Sequence, residues 1–182
     1  MNSSVGMSGA LAATVRGDGT IDVDGLRRAF GRFPSGVVAV CALRDDGVPV
    51  GMAASSFTSV SVDPPLVGVC VQRTSTTWPR LRDRARLGLS VLGSAHDLAC
   101  RQLAAKEGDR FAGLAWHATE DGAILLDGAT AWLDCAVHDV LPAGDHEIAL
   151  LRVERQCTHP HLDPLVFYAS GFQGLAGLEP RT

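Results

Sequence analysis

Lysine is nearly absent from this chain of 182 residues: Lys106 is the single one, and the remaining basic residues are all Arg. That bias, together with abundant Ala and Gly, reads as genome composition and carries no chemistry. The formal net charge of −4 argues against nucleic acid as a partner, because phosphate binding wants a basic face. No run reaches the roughly 18 uninterrupted apolar residues of a membrane helix, so no membrane partner is expected. Residues 1–15 have no basic stretch ahead of their apolar positions, which excludes a signal-peptide pattern, and residues 1–20 are expected to be a disordered tail. Cys41, Cys70, Cys100, Cys135 and Cys157 are odd in number, scattered, and never paired as C-x-x-C. Each sits in an apolar run and is expected to act as a small hydrophobe, so neither disulfides nor a zinc site is expected, and a reducing cytoplasm is the natural compartment.

The common chemical signatures are missing too. There is no G-x-G-x-x-G after a strand, no G-x-x-x-x-G-K-[ST], no H-E-x-x-H and no G-x-S-x-G. Gly171, Gly174 and Gly177 recur by threes without a dinucleotide fold before them and read as a flexible end. His159 and His161 flank Pro160 and read as solvated loop residues, with no metal expected.

What is present is a globular composition, 46% hydrophobic and 20% charged, enough for one domain over residues 21–178. Asp22 or Asp24 can cap a short helix carrying Leu26, Phe30 and Phe33 at helical spacing, ended by Pro34. Strand patterns follow over Val37–Leu43, Val48–Ala54, Phe57–Val62 and Leu66–Val71, with Asp45-Asp46-Gly47 turning the first pair. Thr74–Asp83 has helical spacing and Leu87–Leu92 reads as a strand. Ser94 and Asp97 form a capping-box pattern opening a helix to about Ala105. Glu107–Trp116 reads as a connector, Ala129–Val140 and His146–Val153 as paired strands, and Pro164–Tyr168 as a last strand. Seven or eight strands, few short helices and short connections predict a mainly β protein. The architecture they favour is a closed antiparallel (split) β-barrel with a few peripheral short helices.

Two hydroxyl-rich segments are the candidate chemistry. Met52–Leu66 packs Ser55, Ser56, Thr58, Ser59 and Ser61 into a segment otherwise suited to a strand. Such a run offers adaptable donors to a polar heterocycle or a phosphate, or is simply a strand with one wet face. Thr74-Ser75-Thr76-Thr77, beside Arg73, stands at an expected helix start and suits an anion, or is an ordinary N-cap.

Phe33-Pro34-Ser35-Gly36-Val37, the Ser55–Leu66 block ending Val62-Asp63-Pro64-Pro65, Arg110-Phe111-Ala112-Gly113, Leu126-Asp127-Gly128-Ala129 and Ala143-Gly144-Asp145-His146 occur in this order. Together they resemble the flavin reductase-like family, the small reductase components of two-component flavin-dependent monooxygenases, over residues 26–175. The resemblance implies an FMN-binding split barrel that forms homodimers with flavin at the interface. It implies that Met52, Ala53, Ala54, Ser55 and Ser56 line the isoalloxazine edge, and that Cys70, Val71, Gln72 and Arg73 follow the ribityl chain. Ser75, Thr76 and Arg110 would hold the phosphate, and Phe111 would pack beside the flavin. The chain departs from the family pattern at Ala53, where relatives often carry Thr, and at Ser55, often Asn. His146 alone would read as a partly exposed residue after a turn; the resemblance places it over the flavin, near the nicotinamide. The implied activity is reduction of FMN or FAD by NADH or NADPH, with reduced flavin passed to a partner monooxygenase. A flavin-binding protein without reductase activity, or a reductase of another acceptor on the same fold, is the alternative.

Overall fold

The computed structural model describes residues 13–175. In chain order the elements are α1 (Val23–Phe30), β1 (Ser35–Gly36), β2 (Val38–Leu43), β3 (Pro49–Ala54), β4 (Thr58–Ser61) and β5 (Leu66–Gln72). Next come α2 (Trp78–Leu81), β6 (Leu87–Val91), α3 (Asp97–Ala104), β7 (Trp116–Ala118) and β8 (Ile124–Leu126). The chain closes with β9 (Ala131–Ala143), β10 (His146–Thr158), β11 (Val166–Tyr168) and β12 (Gly171–Gln173). The mainly β expectation holds.

The principal sheet is antiparallel, in the order β3-β2-β6-β9-β10-β5-β4. Its central strands are apolar on both faces because each face has its own core. Val38, Val40 and Ala42 of β2 point inward, to a cluster with Val67, Val69, Trp78, Leu81, Leu89 and Leu151. Their alternates Ala39 and Cys41 meet Cys100, Leu103, Phe111, Ile124 and Leu126 on the outer face. α3 and the β7–β8 hairpin thus cover the outside of β2.

The sheet curls until β3 and β5 share the inner core, yet it does not close as expected. β3 and β4 both keep a free edge, so the barrel is open. β4 is four residues long, none of them buried, and a bulge between Ser59 and Ser61 interrupts its pairing with β5, which runs only from Leu66 to Gly68. Beyond Gly68 the edge of β5 has no strand beside it. There the Ser56 hydroxyl accepts from the Cys70 N–H at 2.9 Å and donates to the Cys70 carbonyl at 2.9 Å. A side chain therefore stands in for a strand, and the cleft between β3 and β5 stays open.

Other expectations need correction. Asp22 is the cap that forms, accepting from the Gly25 N–H, but α1 buries none of its side chains; Phe30 and Phe33 are 70% and 78% exposed. Of the expected tail, residues 1–12 lie outside the described residues, and within 13–20 Val15 bridges back to Ile21. The Ser94 capping box does not form: His96 occupies the cap position of α3, its ring bonded to the Gly93 N–H and the Asp127 carbonyl. β7 begins at the last residue of the Glu107–Trp116 connector, β8 lies between it and Ala129 where no element was expected, β12 lies in the expected flexible end, and the β9–β10 hairpin is longer than its pattern, thirteen residues a side. Cys70 and Cys157 are exposed, unlike the other three cysteines.

Candidate active site

A groove of about 860 Å³ runs along the β3–β5 cleft, within the range of about 300–1,000 Å³ usual for small-ligand sites. Met52, Ala53, Ala54, Ser55 and Ser56 form one wall; Cys70, Val71 and Gln72 form the other. Thr74, Ser75, Thr76 and Thr77 close one end, Arg110 reaches in from the segment after α3, and His146 overlooks the β5 side. Of the residues expected at the site, all but two line this groove.

Arg73 and Phe111 are the two. Arg73 is exposed outside the groove, and its backbone N–H donates to the Asp145 carbonyl at 3.0 Å. Phe111 is buried in the outer core, edge-on to Trp116 with centroids 6.1 Å apart. It lies beneath β3, so close that a Cβ on Gly51 would stand 2.9 Å from its ring. A sequence pattern that places Phe beside Arg110 does not say which of the two turns inward.

Several hydroxyls are already engaged. Ser56 is held by Cys70, as above. Ser75 Oγ accepts from the Thr77 N–H at 3.3 Å and the Trp78 N–H at 3.1 Å, the ordinary capping role that the sequence left open. α2 is only four residues long, so it supplies little dipole of its own. The exposed Thr74 and Thr76 hydroxyls remain directed to solvent and groove.

Arg110 donates through Nη1 to the Gly51 carbonyl at 3.0 Å and to Thr77 Oγ1 at 2.7 Å. Both acceptors are neutral. The guanidinium is thereby fixed across the groove end with its charge uncompensated by a carboxylate among the described residues. Lys106, Glu107, Leu103 and Ala104 complete this end and were not singled out in the sequence. The lone lysine was the available signal.

His146 opens β10 directly after a two-residue turn. Gly144 has φ of +63°, the left-handed geometry that a tight hairpin needs at its first turn position. Ladder pairing sets His146 opposite Gln72, on the groove face, while its neighbour Glu147 turns inward and accepts from Trp78 Nε1 at 3.1 Å. His146 Nδ1 lies 2.7 Å from Asp145 Oδ1, and the side chain is 36% exposed. The hydrogen bond from His146, and then its charge, hold the Asp145 carboxyl below its ordinary value. With Nδ1–H given to Asp145, Nε2 is an acceptor in the neutral ring and a donor in the imidazolium.

The groove's form fits a planar, polar heterocycle bearing a phosphate. Small side chains at Ala53 and Ala54 leave the floor clear for a ring, backbone edges and hydroxyls line the middle, and a fixed cation stands at the end. Residues 30–176 match the model of the flavin reductase like domain. A flavin reductase of Pseudomonas putida is 37% identical over 158 residues, covering 87% of this chain and 93% of that one. The reductase subunit HsaB of a flavin-dependent monooxygenase from Rhodococcus jostii is 32% identical over 88% of this chain and 85% of its own. Among solved structures, the Streptomyces globisporus C-1027 NADH:FAD oxidoreductase SgcE6, in complex with NAD and FAD fragments, superimposes with a TM-score of 0.81. Its identity is 37% over 91% of this chain and 98% of its own.

These matches and the groove define an oxidoreductase of flavins. The chain belongs to the flavin reductase-like family and is a flavin reductase.

Proposed function

We propose that this protein holds the riboflavin phosphate common to FMN and FAD in the β3–β5 groove, with the nicotinamide of NADH or NADPH stacked against it beneath His146. The observation that carries this reading is the open split itself. One wall is small enough for a flat ring, and beside the end of the opposite wall, across from Gln72, stands a histidine fixed by Asp145. When bound, the flavin supplies the redox chemistry by accepting a hydride from the nicotinamide. The chain's own part is positional. Met52–Ala54 present a flat wall, Thr76 and Arg110 hold the phosphate, and His146 Nε2 hydrogen-bonds the carboxamide so that the rings stack in register.

Reduced flavin then leaves for a separate monooxygenase. Support comes from relatives named as reductase components of such pairs, and from a groove open to solvent along its length. A homodimer would cover that groove. Val23, Phe30 and Phe33 expose apolar surface with no cover in the monomer, which supports pairing with a second copy. Exposed thiols at Cys70 and Cys157 suit a reducing cytoplasm.

Anaerobic titration of the purified protein with NADH and NADPH, each against FMN and FAD, tests the reading. Loss of the oxidised flavin band with at least one pair is expected; no loss with any pair overturns it. Light scattering at micromolar concentration should give twice the chain mass of 19.1 kDa.

A further inference from the structure

Two groove-lining residues are each followed by one that turns away from the groove, and those two followers are bonded to each other. Thr77, at the closed end, precedes Trp78; His146, on the β5 side, precedes Glu147. Trp78 is 3% exposed in the inner core, and its Nε1–H donates to Glu147 Oε2 at 3.1 Å. The ladder explains the geometry. Glu147 lies opposite Val71, which belongs to the same core, whereas His146 lies opposite Gln72 on the groove face. Successive strand residues point to opposite faces, so one stretch of backbone sets both side chains. A second tie flanks the histidine: the Arg73 N–H donates to the Asp145 carbonyl at 3.0 Å, and the Asp145 carboxylate holds His146 Nδ1 at 2.7 Å. Both neighbours of His146 are therefore anchored to residues 73–78. The two anchors differ, because any residue at 145 offers a carbonyl, while the Trp78 bond requires an acceptor side chain at 147.

We infer that Glu147 is a positioning residue for flavin reduction: through Trp78 it fixes the start of β10, from which His146 reaches the nicotinamide. The inference rests on the proposed role of His146. Glu147 makes no ion pair among the described residues, so what it supplies is an acceptor and not a charge. Without that acceptor the Trp78 N–H loses its partner, and either the indole or the start of β10 must shift to satisfy it. Trp78 is packed in the core, whereas β10 begins directly after an exposed turn, so the strand end is the part that yields. Its displacement moves His146 and leaves the Met52–Ser56 wall in place.

Anaerobic stopped-flow reduction by NADH and FMN affinity by fluorescence quenching are compared in wild type, Glu147→Met, Glu147→Gln, His146→Ala and the Glu147→Met/His146→Ala double variant. Glu147→Met keeps the length of the side chain and removes the acceptor; Glu147→Gln keeps a carbonyl in its place. The limiting rate is expected to fall about 3- to 50-fold in Glu147→Met with the Kd for FMN changed less than about twofold, and to recover in Glu147→Gln. Added to His146→Ala, Glu147→Met should cost less than about a further twofold, because the group it acts through is already gone. Losses that multiply in full in the double variant overturn the inference. So do an unchanged rate in Glu147→Met, a Glu147→Gln as slow as Glu147→Met, or a fall accounted for by weaker FMN binding. Where Glu147→Met does not fold, Trp78→Phe removes the donor instead and carries the same expected values. A His146→Ala rate equal to wild type refutes the role of the histidine and this inference with it, whereas a slow His146→Ala beside a normal Glu147→Met refutes this inference alone.

Discussion

Replacing His146 by Ala removes a groove-lining side chain that, on the proposed reading, touches the nicotinamide and not the flavin. Its imidazole is anchored at Nδ1 by Asp145 at 2.7 Å, which leaves a single nitrogen, Nε2, for the nicotinamide. One hydrogen bond to a neutral group contributes about 0.5–1.5 kcal/mol, rising to about 3 kcal/mol when one partner is charged. If that bond orients the nicotinamide for hydride transfer, its loss slows flavin reduction by roughly two- to 160-fold at 25 °C. The groove walls on β3 and β5 are unchanged, so the Kd for flavin should move less than twofold. Asp145→Asn keeps an acceptor near Nδ1 but removes its charge, and should fall between wild type and His146→Ala. Anaerobic stopped-flow reduction by NADH, followed at the flavin band, measures the rate; fluorescence quenching measures affinity. An unchanged rate in His146→Ala, or a loss accounted for by weaker flavin binding, refutes the positioning role.

The two hydroxyls at the groove end should separate by function. Ser75→Ala removes the cap at the start of α2 and should lower stability by about 0.5–2 kcal/mol, seen as a lower Tm. Thr76→Ala should leave Tm in place and weaken FMN by about 1–3 kcal/mol while sparing riboflavin, measured by quenching with both; equal loss for both ligands would move the phosphate elsewhere. Native protein should release colour from Ellman's reagent at Cys70 and Cys157 and not at Cys41 or Cys135. Those two thiols are buried and pushed up to about 12 by desolvation, and unfolding should expose them. Gly88→Ala should destabilise the fold by about 1–3 kcal/mol in denaturant melts, because the new Cβ would fall 2.0 Å from the Ile124 carbonyl oxygen and the β8 backbone must move.

Strand identity was legible wherever an apolar run was cut by a turn. Val38–Leu43 is continuous because both faces are covered, Leu66–Gln72 is so only as far as Val69, with Cys70 and Gln72 facing the groove, and Gly47 and Gly144 mark turns that only glycine enters without cost. One wall and the end of the groove were legible as well, since hydroxyls crowded together at Ser55–Ser56 and Thr74–Thr77 stand out in composition. Their partners were not. Whether the Ser75 hydroxyl caps a helix or meets a ligand depends on where the next three N–H groups point. Ser56 reaches Cys70, fourteen positions along the chain. Phe111 turns inward because Gly51 leaves it room on the other side of β3, a vacancy visible only once the strands are packed. The same reason governs closure: period-two alternation marks which residues face a core, but whether the last strand of a sheet meets the first depends on twist and on what competes for the edge. Local pattern thus determined the strands and the wet segments. Long-range contact decided that the barrel stays split, and that the residues proposed to hold the flavin line that split.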